Sequence, residues 1–368
     1  MPTRTSDAPP LGRGALLIRL ALIGAVLGSV IIAFAWTGGF LSPHAVTPAK
    51  FIDTFVAASG PHPGFRSNHA KGVCFTGYFE GSGEGTRYSK AIVFEKIRTP
   101  IVGRFALAGG QPYAADAERT VRSMALRFEL ANGEDWRAGM NNVPVFVVST
   151  PAAFYEQLTA GAPDPKTGKP DPAKMKAFVD AHPETARAIA IVKAHAVSSG
   201  FGDETYNSIN AFRFVDAHGR STPVRWSAVP VQPSRPAPAD APAPTDKNAL
   251  FDAFVADVAS HPLQWHLVAT IAKAGDPVND ATQAWPDDRE HVDLGTVTVD
   301  RAESEDAGYC RDINYDPLVL PSGIEASDDP LLSARSAVYS RSFRRRAGED
   351  KPASAVSVPG NPRMEATP

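Results

Sequence analysis

Cysteine is almost missing from this chain: 368 residues carry only Cys74 and Cys310. Two thiols exclude a disulfide framework and a thiolate zinc site. They leave open a single disulfide or a pair of thiols simply buried in apolar surroundings. A charge of one sign is also lacking. Thirty-seven Lys and Arg stand against 40 Asp and Glu, a formal net charge of −3, which gives no electrostatic reason to expect nucleic acid as a partner. No internal repeat is evident. The glycines of Gly81-Ser-Gly-Glu-Gly85 join two apolar segments that both read as strands, so they are not a nucleotide-binding fingerprint. What remains is a 43% hydrophobic chain, long enough for one large domain or two small ones.

Residues 15–36 form an apolar run interrupted only by Arg19, with Arg4 and Arg13 before it and no acidic residue after it until Asp53. Positive charge on the N-terminal side keeps that side inside and sends the rest of the chain out. Leu20–Trp36 is long for a signal-peptide core and short for a full span. An uncleaved transmembrane anchor is therefore expected, with a cleaved signal ending at Ala33-Phe34-Ala35 as the alternative. No twin-arginine pair precedes the run. Residues 1–14 then read as a cytoplasmic N-terminus, 37–50 as a tether, 51–346 as the functional domain and 347–368 as a disordered tail.

Within the domain, short apolar segments with turn residues between them predict strands at 72–79, 91–96, 101–107, 123–130, 135–140 and 145–148. A helix is expected from Pro151, and another over 175–197 that breaks at Pro183. A hairpin covers 211–229, and Pro- and Ala-rich residues 230–246 read as an extended connector. Helix is expected over 248–274 with a restart after His261-Pro262, and strand over 294–299. Many short strands with added helices argue for an antiparallel barrel or sandwich in an α+β chain. The acidic stretch 287–293 reads as a solvated loop rather than a metal site.

Two short motifs carry the chemistry. Arg66-Ser-Asn-His69-Ala-Lys-Gly72 stands near the start of the domain and Arg335-Ser-Ala-Val-Tyr339 near its end. Alone, His69 would be an ordinary loop histidine, and an Arg four residues before a Tyr is a common helical pair. Together, in this order and about 270 residues apart, they resemble the two sides of the heme pocket in the heme catalase superfamily. Gly139-Met-Asn-Asn-Val-Pro-Val-Phe146 is similar to that family's paired-Asn segment, Ile101-Val-Gly-Arg-Phe105 to its Arg-Phe element, and the lead-in Leu318–Asp329 to its approach to the proximal helix. The resemblance spans about residues 50–345.

The resemblance implies an antiparallel β-barrel of the heme-catalase type with added helices, lacking a C-terminal flavodoxin-like domain. It implies heme b as cofactor. His69 would move the peroxide's proton, and Asn142 would hydrogen-bond the peroxide. Phe154 would pack over the heme. Arg66 and Arg104 would pair with its propionates through bidentate geometry. Tyr339 would be the axial iron ligand, ionised with the help of Arg335. One departure stands out: the family usually has Ser after Arg-Phe, positioned to bond the distal His, and this chain has Ala106. The short length points to the minimal, catalase-related peroxidase branch. The expected function is thus a peroxidase reducing hydrogen peroxide or organic hydroperoxides with a small organic donor, in defence against oxidative stress. A small true catalase, a hydroperoxide-rearranging relative and a non-catalytic heme-binding protein are the alternatives. The expected location is the periplasm, on the inner membrane, without an arm-exchanged tetramer.

Overall fold

The computed structural model describes residues 12–37, 46–116, 120–164, 166–235 and 246–360. The chain divides into two units, residues 1–47 and 48–368. The first contains helix α1 (Arg13–Thr37), which is the apolar run. It is long and apolar enough to cross a membrane.

The second unit is built on one antiparallel sheet. Strands β1 (Gly72–Gly81), β2 (Arg98–Leu107), β3 (Arg122–Glu129), β4 (Asp135–Asn141), β5 (Tyr206–Asn207), β7 (Ser221–Pro230), β8 (Leu263–Ile271) and β9 (Glu290–Glu303) follow one another around a barrel in the order β7-β5-β4-β3-β2-β1-β9-β8. Pairing of β7 with β8 closes it. Two further strands, β6 (Phe212–Val215) and β10 (Ile324–Ala326), extend the sheet from β7. Closure removes the free edges that would otherwise invite pairing with other chains.

Alternation along the strands decides what fills the barrel. On β3 the buried residues are Arg122, Met124, Leu126 and Phe128, and on β4 they are Trp136, Ala138 and Met140. Phe128 stacks on Trp136 with ring centroids 4.5 Å apart. Helix α6 (Ala249–Ser260) adds Phe251 and Phe254, the latter 4.8 Å from Phe105. Each such side chain contributes roughly 1.5–3 kcal/mol by leaving water. The remaining helices are α2 (Pro48–Ser59), α3 (Pro151–Ala160), α4 (Pro172–Ala181), α5 (Pro183–Ala194) and α7 (Pro330–Ala347). Helices α3, α4 and α7 start alike: Thr150, Asp171 or Asp329 accepts a backbone N–H, and Pro occupies the first turn, where its missing N–H costs nothing.

The structure departs from expectation in several places. The helix expected over 248–274 ends at Ser260, and 263–271 is strand β8. Pro262 stops the helix, and Leu263, Trp265, Leu267, Ala269 and Ile271 alternate with less buried neighbours. The expected strand at 91–96 is a 3₁₀ turn (Ile92–Phe94) that plugs Val93 and Phe94 into the core. Residues 145–148 form no strand, although Val145 and Val148 are fully buried. The tether boundary moves, because α2 begins at Pro48. Residues 348–360 are not a loose tail: Val356 is buried, and the Ala353 and Ala355 carbonyls accept hydrogen bonds from Tyr113 Oη and Asn248 Nδ2 at 2.8 Å each. The expected segments 1–14, 37–50, 230–246 and 347–368 fall partly on residues outside those described.

Candidate active site

The outward faces of β2, β3 and β4 are covered over part of their length, around Arg104, Ala106, Ser123, Ala125, Gly139 and Asn141. They form the floor of a cavity roofed by α2, α3 and α7. Non-atom space within it amounts to about 1340 Å³, part of it open to solvent. Six of the seven residues expected to form the site line it: Arg66, His69, Arg104, Phe154, Arg335 and Tyr339.

His69 stands just before β1 with φ +57°, in the left-handed region that a non-glycine residue enters at a cost. Its surroundings hold it there. Asn68 Oδ1 accepts the His69 N–H at 3.0 Å and the Gly109 N–H at 2.7 Å. Arg104 Nη1 donates to the His69 carbonyl at 2.9 Å. Ser123 Oγ lies 3.2 Å from His69 Nδ1. Burial, together with the positive charge of Arg104, Arg66 and Arg335, lowers the His69 pKa to about 3. The ring is a neutral imidazole at physiological pH, the form that can accept a proton.

Asn142 is not in the cavity. Its Oδ1 accepts the Arg122 N–H at 3.0 Å, and its Nδ2 donates to Glu204 at 3.1 Å. The neighbouring Asn141 lines the cavity instead. The reason is strand parity. Buried Trp136, Ala138 and Met140 put even-numbered positions on the barrel side of β4, and a one-residue shift reverses the face. The sequence motif placed the pair correctly but assigned the wrong member.

Tyr339 and Arg335 lie one turn apart on α7, with the guanidinium carbon 5.9 Å from the phenol ring centroid. Arg335 donates to the Gly139 carbonyl at 3.1 Å and to Asn210 Oδ1. Asn210 also donates to Asp329, the residue that caps α7, at 2.8 Å. The same short segment therefore fixes both the start of the helix and its cavity-facing arginine. Ile209 beside it is at φ +65°, a costly value for a β-branched residue. A Cβ at Gly139 would sit 3.2 Å from Arg335 Nη2 and 3.9 Å from Tyr339 Oη, so a glycine here lets the helix side chains approach the strand. Nothing in the sequence singled out Asn210, because its partners are 119 and 125 residues away.

Four arginines and no carboxylate line the cavity. Arg104 is neutralised by Glu305, with Nε to Oε1 at 2.7 Å and Nη2 to Oε2 at 3.3 Å, so it does not present a free fork to a ligand. Among the described residues, Arg66 donates to the backbone carbonyls of Cys310, Arg311 and Ile313 and to no carboxylate. Arg346, which sequence reading missed, donates to the Ile313 carbonyl at 3.3 Å and keeps a buried Nε without a partner among the described residues. Burial, with repulsion from Arg104, pulls Arg66 down to about 10, and burial, with repulsion from Arg66 and Arg104, pulls Arg346 to about 8. Among the described residues, Arg66, Arg335 and Arg346 have no carboxylate partner. Cations without a carboxylate partner suit a planar group that carries two carboxylates. With aromatic walls at Phe51, Phe146 and Phe154, the residues fit a heme.

A disulfide, Cys74–Cys310, ties β1 to the turn whose carbonyls hold Arg66. Of the two alternatives for the cysteines, the bonded one holds.

Comparison with known proteins agrees. The sequence pattern of the catalase family matches residues 63–365. A catalase-related peroxidase of Synechococcus elongatus is 35% identical over 90% of this chain and 96% of its own length. A second, from Mycolicibacterium paratuberculosis, is 29% identical over 85% and 99%. Among solved structures, catalase A of Saccharomyces cerevisiae superposes with a TM-score of 0.69 at 21% identity, covering 78% of this chain and 62% of that one. A fungal catalase gives 0.70 at 19% identity, over 94% and 65%. Its eight-stranded barrel with flanking helices is the catalase fold. By these matches the chain belongs to the catalase family and is a heme-dependent oxidoreductase of the peroxidase and catalase kind.

Proposed function

We propose that the protein is a heme b peroxidase that reduces hydrogen peroxide or organic hydroperoxides with a small organic electron donor. The observation that carries the reading is that His69 and Tyr339 line one cavity in which three of the four arginines, Arg66, Arg335 and Arg346, have no carboxylate partner among the described residues. When bound, heme supplies an iron that takes up the peroxide and passes electrons into its O–O bond. Tyr339 would ligate that iron, with the Arg335 guanidinium beside it, 5.9 Å from the ring centroid. Arg66 and Arg346 would hold the heme's two carboxylates. Arg104, already paired with Glu305, acts on the distal side by fixing the His69 backbone. Phe154, 5.7 Å from Phe51 between ring centroids, would pack over the heme.

His69 takes the proton from the near oxygen of the peroxide and returns it to the far oxygen as the bond breaks. Asn141, rather than Asn142, is the amide placed to hold the peroxide. Two one-electron donors and two protons complete the balance, yielding water, or water and an alcohol from an organic hydroperoxide. The protein would act outside the cytoplasm against oxidative stress, held by α1 or released after cleavage. The basic N-terminal flank, the apolar helix and a disulfide, which persists in oxidising compartments, support this location.

A small true catalase is the second reading. Ser123 favours it, because a hydroxyl reaches His69 even though position 106 has none. The test uses the full chain in detergent, reconstituted with heme and given hydrogen peroxide with and without a phenolic donor. Donor oxidation exceeding oxygen evolution supports the peroxidase. Dominant oxygen evolution supports the catalase. Failure to take up heme at all overturns both.

A further inference from the structure

We propose that Ser123, on the strand facing Ala106, is the positioning residue of His69 and selects the tautomer whose Nε2 faces the peroxide as proton acceptor. The inference rests on the reading of His69 as the base and deepens it. In antiparallel pairing Ala106 and Ser123 stand directly opposite one another on β2 and β3. Directly opposite residues project to the same face, and both line the cavity. The hydroxyl missing at 106 is therefore supplied across the ladder, a few ångströms away, from the partner strand.

The second contact of the hydroxyl points to the direction of the bond. A serine hydroxyl has one proton to give. Ser123 Oγ reaches the Ala106 carbonyl at 3.4 Å as well as His69 Nδ1 at 3.2 Å. A carbonyl can only accept, whereas Nδ1 can donate or accept; in the inferred arrangement the serine proton goes to the carbonyl and its lone pair receives Nδ1–H, which satisfies both contacts at once. That leaves Nε2 with its lone pair in the cavity. The backbone of His69 is clamped separately, by Asn68, Gly109 and Arg104. Backbone placement and ring orientation thus depend on different residues and can be perturbed independently.

The experiment compares the parent chain, Ser123→Ala, His69→Gln and the double variant Ala106→Ser/Ser123→Ala. The first readout is the tautomer of His69 in the heme-free protein, from long-range ¹⁵N–¹H correlations of histidine-labelled samples, assigned by the His69→Gln spectrum. The second is the second-order rate of peroxide reaction in heme-loaded protein, with heme content measured alongside. The parent should show one Nδ1–H tautomer. Ser123→Ala should give a tautomer mixture and lower the peroxide rate about tenfold, the fold-change that loss of one hydrogen bond corresponds to, at unchanged heme content. The double variant, with its hydroxyl restored from the other strand, should recover both. A Ser123→Ala protein that keeps the single tautomer and a rate within twofold of the parent overturns the proposal. So does a parent locked in the Nε2–H tautomer. A parent with the expected tautomer whose peroxide rate is unaffected by His69→Gln instead overturns the reading of His69 as the base, while the positioning by Ser123 stands.

Discussion

At the scale of single residues, the site is a set of charges arranged around one neutral ring. With its pKa held near 3 by burial and three arginines, His69 stays an acceptor far below neutrality. The rate of peroxide reaction should accordingly be flat between about pH 5 and 8, well above that pKa; stopped-flow rates that fall through pH 6.5 would show a protonating His69. Stability gives an independent handle. The folded pKa lies below the unfolded value of about 6.5, so the unfolded chain binds the extra proton first. Stability is therefore lost as pH falls from about 6.5 toward 3, and the fall in melting temperature of the heme-free chain should be smaller in His69→Gln. The two asparagines separate in the same way. Asn141→Ala should slow the peroxide reaction and leave the melting temperature nearly unchanged. Asn142→Ala should do the reverse, costing about 1–3 kcal/mol because Glu204 and the Arg122 N–H lose a buried partner. Equal effects of the two on the peroxide rate would contradict the parity of β4.

Among elements, α7 and β4 must approach closely, and Gly139 is where they do. Gly139→Ala should push Arg335 and Tyr339 outward, reducing heme retention while the barrel still folds, since its new methyl group would face the cavity and not the core. Heme absorbance per protein, measured beside circular dichroism, decides this. The 310–315 turn has a matching role for the arginines. Breaking its disulfide in Cys74→Ser/Cys310→Ser should cost roughly 2–5 kcal/mol of stability and loosen the turn whose carbonyls hold Arg66 and Arg346. Heme affinity should fall in the double variant, and unaltered affinity would mean that the turn holds its shape without the bond. Element identity was legible wherever alternation or capping was strong. Strands β2, β3 and β4, the N-terminus of α3 and the break between α4 and α5 match the pattern read from sequence. Strand β8 did not, because Leu263–Ile271 follows a helix closely and its apolar residues suit either period until a partner strand is supplied. The 92–94 turn is apolar for the same reason as a strand, being buried, so periodicity could not tell them apart.

For the whole molecule, closure of the barrel turns a sheet into a platform with two uses, a sealed interior and a wall that bears the site. The 348–360 segment belongs to that design, since Val356 joins the main core and the Ala355 and Val356 carbonyls accept from Asn248, just before α6, and Ser304, just after β9. Truncation after Gly348 should lower the melting temperature, where a disordered tail would have left it unchanged. Sequence alone determined the apolar N-terminal helix, a β-rich domain with added helices, and the family resemblance, which implied the barrel and the roles of His69 and Tyr339. These are local in the chain: motifs, alternation, a run of apolar residues. Tertiary structure decided which asparagine faces the cavity, that Ser123 stands in for the hydroxyl absent at 106, that Cys74 bonds Cys310, and that Arg346 joins Arg66 while Arg104 turns to Glu305. Each of these depends on which face a side chain takes and on what lies across the ladder from it, and register and packing between distant segments set both.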